Sequence, residues 1–222
     1  VGLRFDWDWA FAWEILPRLL EGAWITLQAT VVGFALALAI GLLLALGRRG
    51  PRLLSIPTTV FIEFVRSTPL LVQLYVLYFI LPNFGISMSA FLTGVIGLGL
   101  HYGTYLSEVY RAGIENVPRG QWEAAIALNF GTRTTWKNIV LPQAIPPMLP
   151  AFGNYFIVMF KETPLLSAIT VVELLQTAKI IGSRTFSYVE PYTLVGIIFL
   201  MLSYPAALVV NRLEARFARY RS

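Results

Sequence analysis

The sequence predicts an all-α integral membrane protein with about five transmembrane helices. Three observations predict it. Of the 222 residues, 57% are hydrophobic and only 13% are charged, whereas a soluble domain carries about 25% charged residues. The charge-free runs are long: residues 22–47, 67–107 and 138–160 contain no Asp, Glu, Lys or Arg. In hydrocarbon the backbone must satisfy its own hydrogen bonds, as helices or as a closed barrel, and runs of this length far exceed the roughly 10 residues of a barrel strand.

Residues 1–21 mix Trp, Phe and Leu with Arg4, Asp6, Asp8, Glu14, Arg18 and Glu21. That composition predicts an amphipathic helix at the membrane interface, with Trp at headgroup depth. The opening lacks the pattern of a cleavable signal peptide. Residues 22–47 form the first span, closed by "RRGPR" (48–52). The run 67–107 is too long for one span, and "PNFG" (82–85) marks a turn within it. The second span is therefore expected at about 58–81 and the third at about 90–112. The fourth is expected at about 148–170, interrupted near its end by Pro164. Residues 172–190 are mixed and weakly helical. Residues 191–211 form the fifth span, so 22–211 is the transmembrane domain, and 212–222 is a basic tail.

Five spans place the two termini on opposite sides. Arg48, Arg49, Arg52, Arg111, Arg119, Arg133, Lys137, Arg212, Arg216, Arg219 and Arg221 share one side. Arg4, Arg18, Lys179 and Arg184 share the other. The positive-inside rule makes the richer side cytoplasmic. The N-terminus is then outside, the C-terminus is cytoplasmic, and 115–146 is a cytoplasmic loop. The net charge of +5 belongs to this asymmetry, and no nucleic-acid partner is expected.

Several chemistries are excluded. The chain has no cysteine, hence no disulfide and no thiolate nucleophile or ligand. It has no Gly-Lys dipeptide, hence no Walker A loop to cradle ATP. His101 is the single histidine, with no pattern around it that builds a catalytic triad or a metal site. No enzyme activity, cofactor or metal is expected in this chain.

The cytoplasmic loop carries a pattern of its own. Pro118 suits the entry of a helix. Trp122, Ala125, Ile126 and Asn129 recur at helical spacing. Ala124, Ala125 and Ala127 favour helix and keep a face slim. Asn129 and Gly131 form the expected stop, because both tolerate left-handed backbone. A second short helix at about 132–138 leads into "IVLP".

These residues resemble the EAA loop of ABC-importer permeases. That pattern reads E-A-A, three residues, G, nine residues, I-x-L-P. Glu123, Ala124, Ala125, Ile139, Leu141 and Pro142 fall on it, and Asn129 stands at the Gly position. "EFVRSTPLLVQL" (63–74), "YLSEVYRAGI" (105–114), "PRGQWEAA" (118–125), "LPQAIPPMLPAFGNYF" (141–156) and "KETPLLSAI" (161–169) are similar to the polar-amino-acid branch of type I importers, which often carries Ser where Pro164 stands. The resemblance implies a type I ABC importer permease fold in a bacterial inner membrane. It implies that the helix around Gly120–Asn129 docks in an ATP-binding subunit, present in two copies, which binds the ATP and Mg. It also implies a second permease subunit, identical or paralogous, and an extracytoplasmic solute-binding protein that delivers a small zwitterion. The competing class, a channel or scaffold not coupled to ATP, would need no docking helix.

Ionisable groups inside spans are costly and mark function. Glu63 with Arg66, and Glu108 with Arg111, are i, i+3 pairs near the cytoplasmic ends of spans two and three. Each reads either as a local ion pair or as a gate remade between states. Lys161 and Glu162 fall near the bilayer centre, beside Thr163-Pro164, where the helix should break. Broken helices at that depth build transporter sites, and the two residues offer both charges a zwitterion needs. A structural Lys–Glu pair is the alternative, though adjacent helical residues point about 100° apart. Thr68, Gln73, His101, Tyr105 and Asn154 are expected at similar depth along the pathway. Residues 172–190, on the outer side, read equally as a cap that meets the binding protein or as a plain connector.

Overall fold

The computed structural model describes residues 7–218, with side chains through residue 216. Every regular element among them is helical. Helix α1 spans Trp9–Arg48, α2 Arg52–Arg66 and α3 Leu70–Tyr75. α3 continues through a π turn (Val76–Ile80) and a 3-10 turn (Leu81–Phe84). α4 spans Ala90–Glu115, α5 Arg119–Ala127 and α6 Thr132–Thr135. A π turn (Trp136–Val140) leads into α7, Leu141–Glu162, which passes into a 3-10 segment, Thr163–Ile169. α8 spans Leu174–Thr185 and α9 Val189–Ala218.

Helix α1 differs from the expectation at its start. No break separates an interfacial helix from a span at residue 21, because one helix of 40 residues runs from Trp9. At about 1.5 Å per residue it is about 60 Å long, twice the hydrocarbon thickness of about 30 Å. Packing explains the extension. Ile15, Leu19 and Ala23, at successive i+4 positions, bury against Leu174, Ala178 and Ile181 of α8 and Val195 and Ile198 of α9. Residues 1–6 of the expected interfacial segment, and Arg219 and Arg221 of the basic tail, lie outside the described residues.

By length and composition, α1 and α9 are each long and apolar enough to cross a membrane. α2 with the helical run from Leu70, and 132–169 with α8, qualify as broken pairs, which makes two to four candidates. α4, expected as the third span, is not among them. Its stretch "GLHYGTYLSEVYR" dilutes the apolar run with Gly, hydroxyls and charge.

The chain forms two compact units, and the long helices contribute to both. One comprises Val1–Ala35, Pro69–Leu98 and Val158–Pro205; the other comprises Leu36–Thr68, Gly99–Ile157 and Ala206–Ser222. In the first, α1, α8 and α9 build the core described above. Gly22 lets α8 approach, since a Cβ there would stand 2.6 Å from Thr177 Oγ1. In the second, α1 and α4 cross at Gly41 and Gly103. A Cβ on Gly41 would lie 2.9 Å from the Gly103 carbonyl oxygen and 2.9 Å from Leu106 Cβ. A second cluster in this unit gathers Ile114, Val117, Val140, Ala144 and Met148.

Candidate functional site

The loop at 115–146 is a built structure. Pro118 is the N-cap of α5, with extended backbone. The helix ends in a Schellman motif. Asn129 is left-handed (φ 53°); its N–H donates to the Ile126 carbonyl, and the Phe130 N–H donates to the Ala125 carbonyl, both at 2.9 Å. Asn tolerates this backbone because its short polar side chain relieves the clash that penalises other L-residues. Gly131 is not part of the stop. Its backbone is extended (φ −65°) and it caps α6.

One face of α5 holds the helix in place. Ala125 is buried, and the Trp122 ring packs edge-on against Trp136 with centroids 5.4 Å apart. The Arg49 guanidinium lies 5.8 Å from the centroid of the Trp136 ring. Gln143 bridges back, its amide donating to Gln121 Oε1 at 3.4 Å and to the Ile139 carbonyl at 2.8 Å. The other face is open. Glu123, Ala124, Ala127 and Gly120 are exposed, and so are Ile126 (77%), Leu128 (66%) and Phe130 (45%). Of the residues that recur at helical spacing, Ala125 is buried and Trp122 half-buried, whereas Ile126 is exposed. Ile139 is half-buried, and Leu141 and Pro142 are exposed at the entry to α7.

Glu108 is the centre of an ionic cluster. It accepts from Arg48 of α1 and, at 2.8 Å, from Arg111 Nε of its own helix. Arg66 of α2 stands 3.8 Å from the same carboxylate. Arg111 also pairs with Glu115 at 2.5 Å. Thus the expected Glu108–Arg111 pair forms, but the expected Glu63–Arg66 pair does not. Glu63 is exposed and in no ion pair among the described residues. The reason is position: Arg66 turns toward Glu108 and over the Tyr105 ring, 5.0 Å from its centroid. Arg48 was missed because it is 60 residues away from Glu108 in sequence, and its place in "RRGPR" reads only as a helix end. The result is one carboxylate that ties the ends of three helices.

The residues expected along a pathway divide between the two units. In one, His101 is buried (9% exposed), with ring centroids 5.4 Å from Tyr102 and 5.3 Å from Tyr105. Tyr155 closes this aromatic group, 5.9 Å from Tyr105. Asn154 is exposed beside it, and Thr68 is half-buried. In the other unit, Gln73 and Glu162 are half-buried and Lys161 is exposed. Thr163 is fully buried, and its hydroxyl donates to the Phe160 carbonyl at 2.7 Å. α7 starts at Leu141 rather than at 148, so Lys161 and Glu162 are its last residues. The helix does break at Thr163, as Pro164 predicts, by tightening into the 3-10 segment.

A buried acid that sequence reasoning missed is Glu173. It is the N-cap of α8, accepting the N–H groups of Leu175 at 2.9 Å and Gln176 at 2.7 Å. Burial pushes its carboxyl above the ordinary value, against the pull of these hydrogen bonds and of Lys179.

Comparison with known proteins bears on this arrangement. The family described as "Binding-protein-dependent transport system inner membrane component" matches residues 37–219. The "Probable amino-acid ABC transporter permease protein y4tG" of Sinorhizobium fredii is 45% identical, covering 97% of this chain and 96% of that protein. The glutamine transport system permease protein GlnP of Escherichia coli is 33% identical, covering 95% and 98%. Among solved structures, the crystal structure of an amino acid ABC transporter with histidines superposes with a TM-score of 0.88 at 34% identity, covering 96% of this chain and all of that one. The inward-facing MetNI methionine ABC transporter shares the fold, with a TM-score of 0.72 at 20% identity. The chain therefore belongs to the family of inner membrane components of binding-protein-dependent transport systems.

Proposed function

We propose that this chain is the permease subunit of an ATP-driven importer of polar amino acids or related small zwitterions. The observation that carries the reading is the open face of α5. A short helix fixed by a Schellman stop and a Trp–Trp contact, yet exposing Glu123, Ala124, Ile126 and Leu128, is suited to receive another protein. Gly120, Glu123, Ala124 and Ala125, with Asn129, Gly131, Ile139, Leu141 and Pro142 as its exit, are the coupling residues. The substrate class follows that of its relatives, a probable amino-acid permease and a glutamine permease.

In this reading, two ATP-binding subunits close on ATP and Mg and move the coupling helices of two permease subunits. The spans then alternate access around a central path, fed by a solute-binding protein outside. There are five spans: α1, α2 with α3, α4, α7 and α9. The N-terminus and residues 1–21 are outside, 22–211 form the transmembrane domain with its cytoplasmic loop at 115–146, and the tail 212–222 is cytoplasmic. The side with eleven Lys and Arg against four supports that orientation. Each unit supplies its own polar candidates for substrate contact: Thr68, His101, Tyr105 and Asn154 in one, and Gln73, Lys161 and Glu162 in the other, where Lys161 and Glu162 offer opposite charges to a zwitterion; Thr163 is buried and holds the helix end. Glu108, with Arg48, Arg66 and Arg111, is the cytoplasmic ionic tie that is remade between states; Glu63 is exposed and outside the tie.

The test is uptake of radiolabelled glutamine and related amino acids by proteoliposomes carrying the complete transporter. Glu123→Arg should abolish ATP-dependent uptake while the protein stays folded and inserted. Uptake at the wild-type rate in that variant would remove α5 from the coupling path.

A further inference from the structure

Two adjoining clefts lie between α1, the start of α4 and the segment leading into α8, all within one compact unit. The first encloses about 270 Å³ and is charged: Arg18 and Glu21 of α1 and Arg184 of α8 line it, with the Thr177 hydroxyl. Among the described residues none of these three charges is in an ion pair. The second, about 310 Å³, is mainly apolar: Phe91 and Val171 line it, with Gln28 and Thr170 as its polar groups. Ile25 and Val172 line both clefts, so they meet at a shared neck.

Their order along α1 fixes their depth. Arg18 and Glu21 immediately precede the charge-free run that starts at residue 22, and Gln28 lies within it. From Arg18 to Gln28 the helix rises about 15 Å. Trp24, adjacent in sequence to Ile25 at the neck, is 59% exposed, as a headgroup-level aromatic is. The charged cleft thus stands at the bilayer edge and the apolar cleft toward hydrocarbon, whichever side the N-terminus occupies.

We propose that the paired clefts bind one phospholipid with an ethanolamine headgroup. Arg18 and Arg184 take the phosphate, since planar guanidinium forks match its oxygens. Glu21 takes the ammonium, Gln28 faces the ester region, and an acyl chain lies along Phe91 and Val171. A free amino acid shares the headgroup's two charges but has no part to fill the apolar cleft; that cleft decides for the lipid. The site goes beyond the transport reading and stands or falls without it.

The experiment is native mass spectrometry of the complete transporter, purified in mild detergent with phosphatidylethanolamine, phosphatidylcholine or phosphatidylglycerol. Wild type should retain phosphatidylethanolamine in preference to the other two. Arg184→Ala and Val172→Trp, which fills the exposed neck, should each weaken retention by roughly tenfold. Glu21→Gln should erase the preference for phosphatidylethanolamine over phosphatidylglycerol. Equal retention of all lipids by every variant would overturn the site. Displacement of the lipid by millimolar glutamine, unaffected by Val172→Trp, would assign the charged cleft to a soluble zwitterion and overturn it too.

Discussion

Asn129 shows how one residue ends a helix. Its left-handed backbone (φ 53°) ends α5, beside the exposed Ile126, Leu128 and Phe130. Asn129→Gly should keep coupling, because Gly adopts this backbone freely. Asn129→Val should lose it, since a β-branched residue there costs about 1–2 kcal/mol. ATP-dependent uptake of the two variants, normalised to inserted protein, measures the difference; equal activities would show that the turn does not matter. Glu173 acts at the same scale. Its carboxyl is raised by burial, so the folded state holds the proton more tightly than the unfolded state. Its contribution is then fully present below the ordinary carboxylate range and is lost as pH rises through the folded value. Wild type should therefore gain thermal stability relative to Glu173→Gln as pH falls from about 7 toward 4. A difference in Tm that stays flat, or shrinks on acidification, would contradict the burial argument. Asn129 was legible in sequence, because the stop and the Glu-Ala-Ala pattern coincide within seven residues. Glu173 was not: its burial depends on Thr26 and α1, which are 147 positions earlier.

At the scale of elements, helix existence was legible and helix boundaries were not. Charge-free runs located the apolar segments, but α1 begins more than three turns before its run because Ile15 and Leu19 find α8 and α9 to pack against. The break after Glu162 was read correctly from Pro164, while the start of α7 at Leu141 was missed. Pro142, Pro146, Pro147 and Pro150 argued against helix there; Pro142 falls in the first turn, where Pro is tolerated, but Pro146, Pro147 and Pro150 lie inside α7, which continues from the π turn at Trp136–Val140 despite the backbone donors they remove. The Glu108 cluster was half legible: an i, i+3 pair is local, whereas Arg48 arrives only through the α1–α4 crossing. That crossing depends on Gly41 and Gly103. Gly41→Val should destabilise the protein by roughly 1–3 kcal/mol. Gly196→Ala on α9, where a Cβ meets nothing within 4 Å, should be neutral. Thermal unfolding of both in detergent checks this, and equal Tm values would show that the crossing has slack.

For the whole molecule, the distribution of Lys and Arg carries the proposed orientation, and the chain offers a clean way to test it. Because it has no cysteine, single-cysteine variants report one position each. Ser187→Cys, between α8 and α9, should react with a membrane-impermeant maleimide in intact cells. Thr132→Cys, in the coupling loop, should react only after permeabilisation. The reverse pattern would invert the orientation and place α5 where no ATPase could reach it.

The proposed importer depends on α5 as the joint to a separate ATPase. The most direct measurement is co-purification: the permease, wild type or Glu123→Arg, is co-expressed with the ATP-binding subunit, extracted in mild detergent and captured by a tag on the permease. Wild type should retain the ATPase, and Glu123→Arg, equally folded, should lose it. Retention of the ATPase by both would contradict the account, because the two proteins would then meet on some other surface.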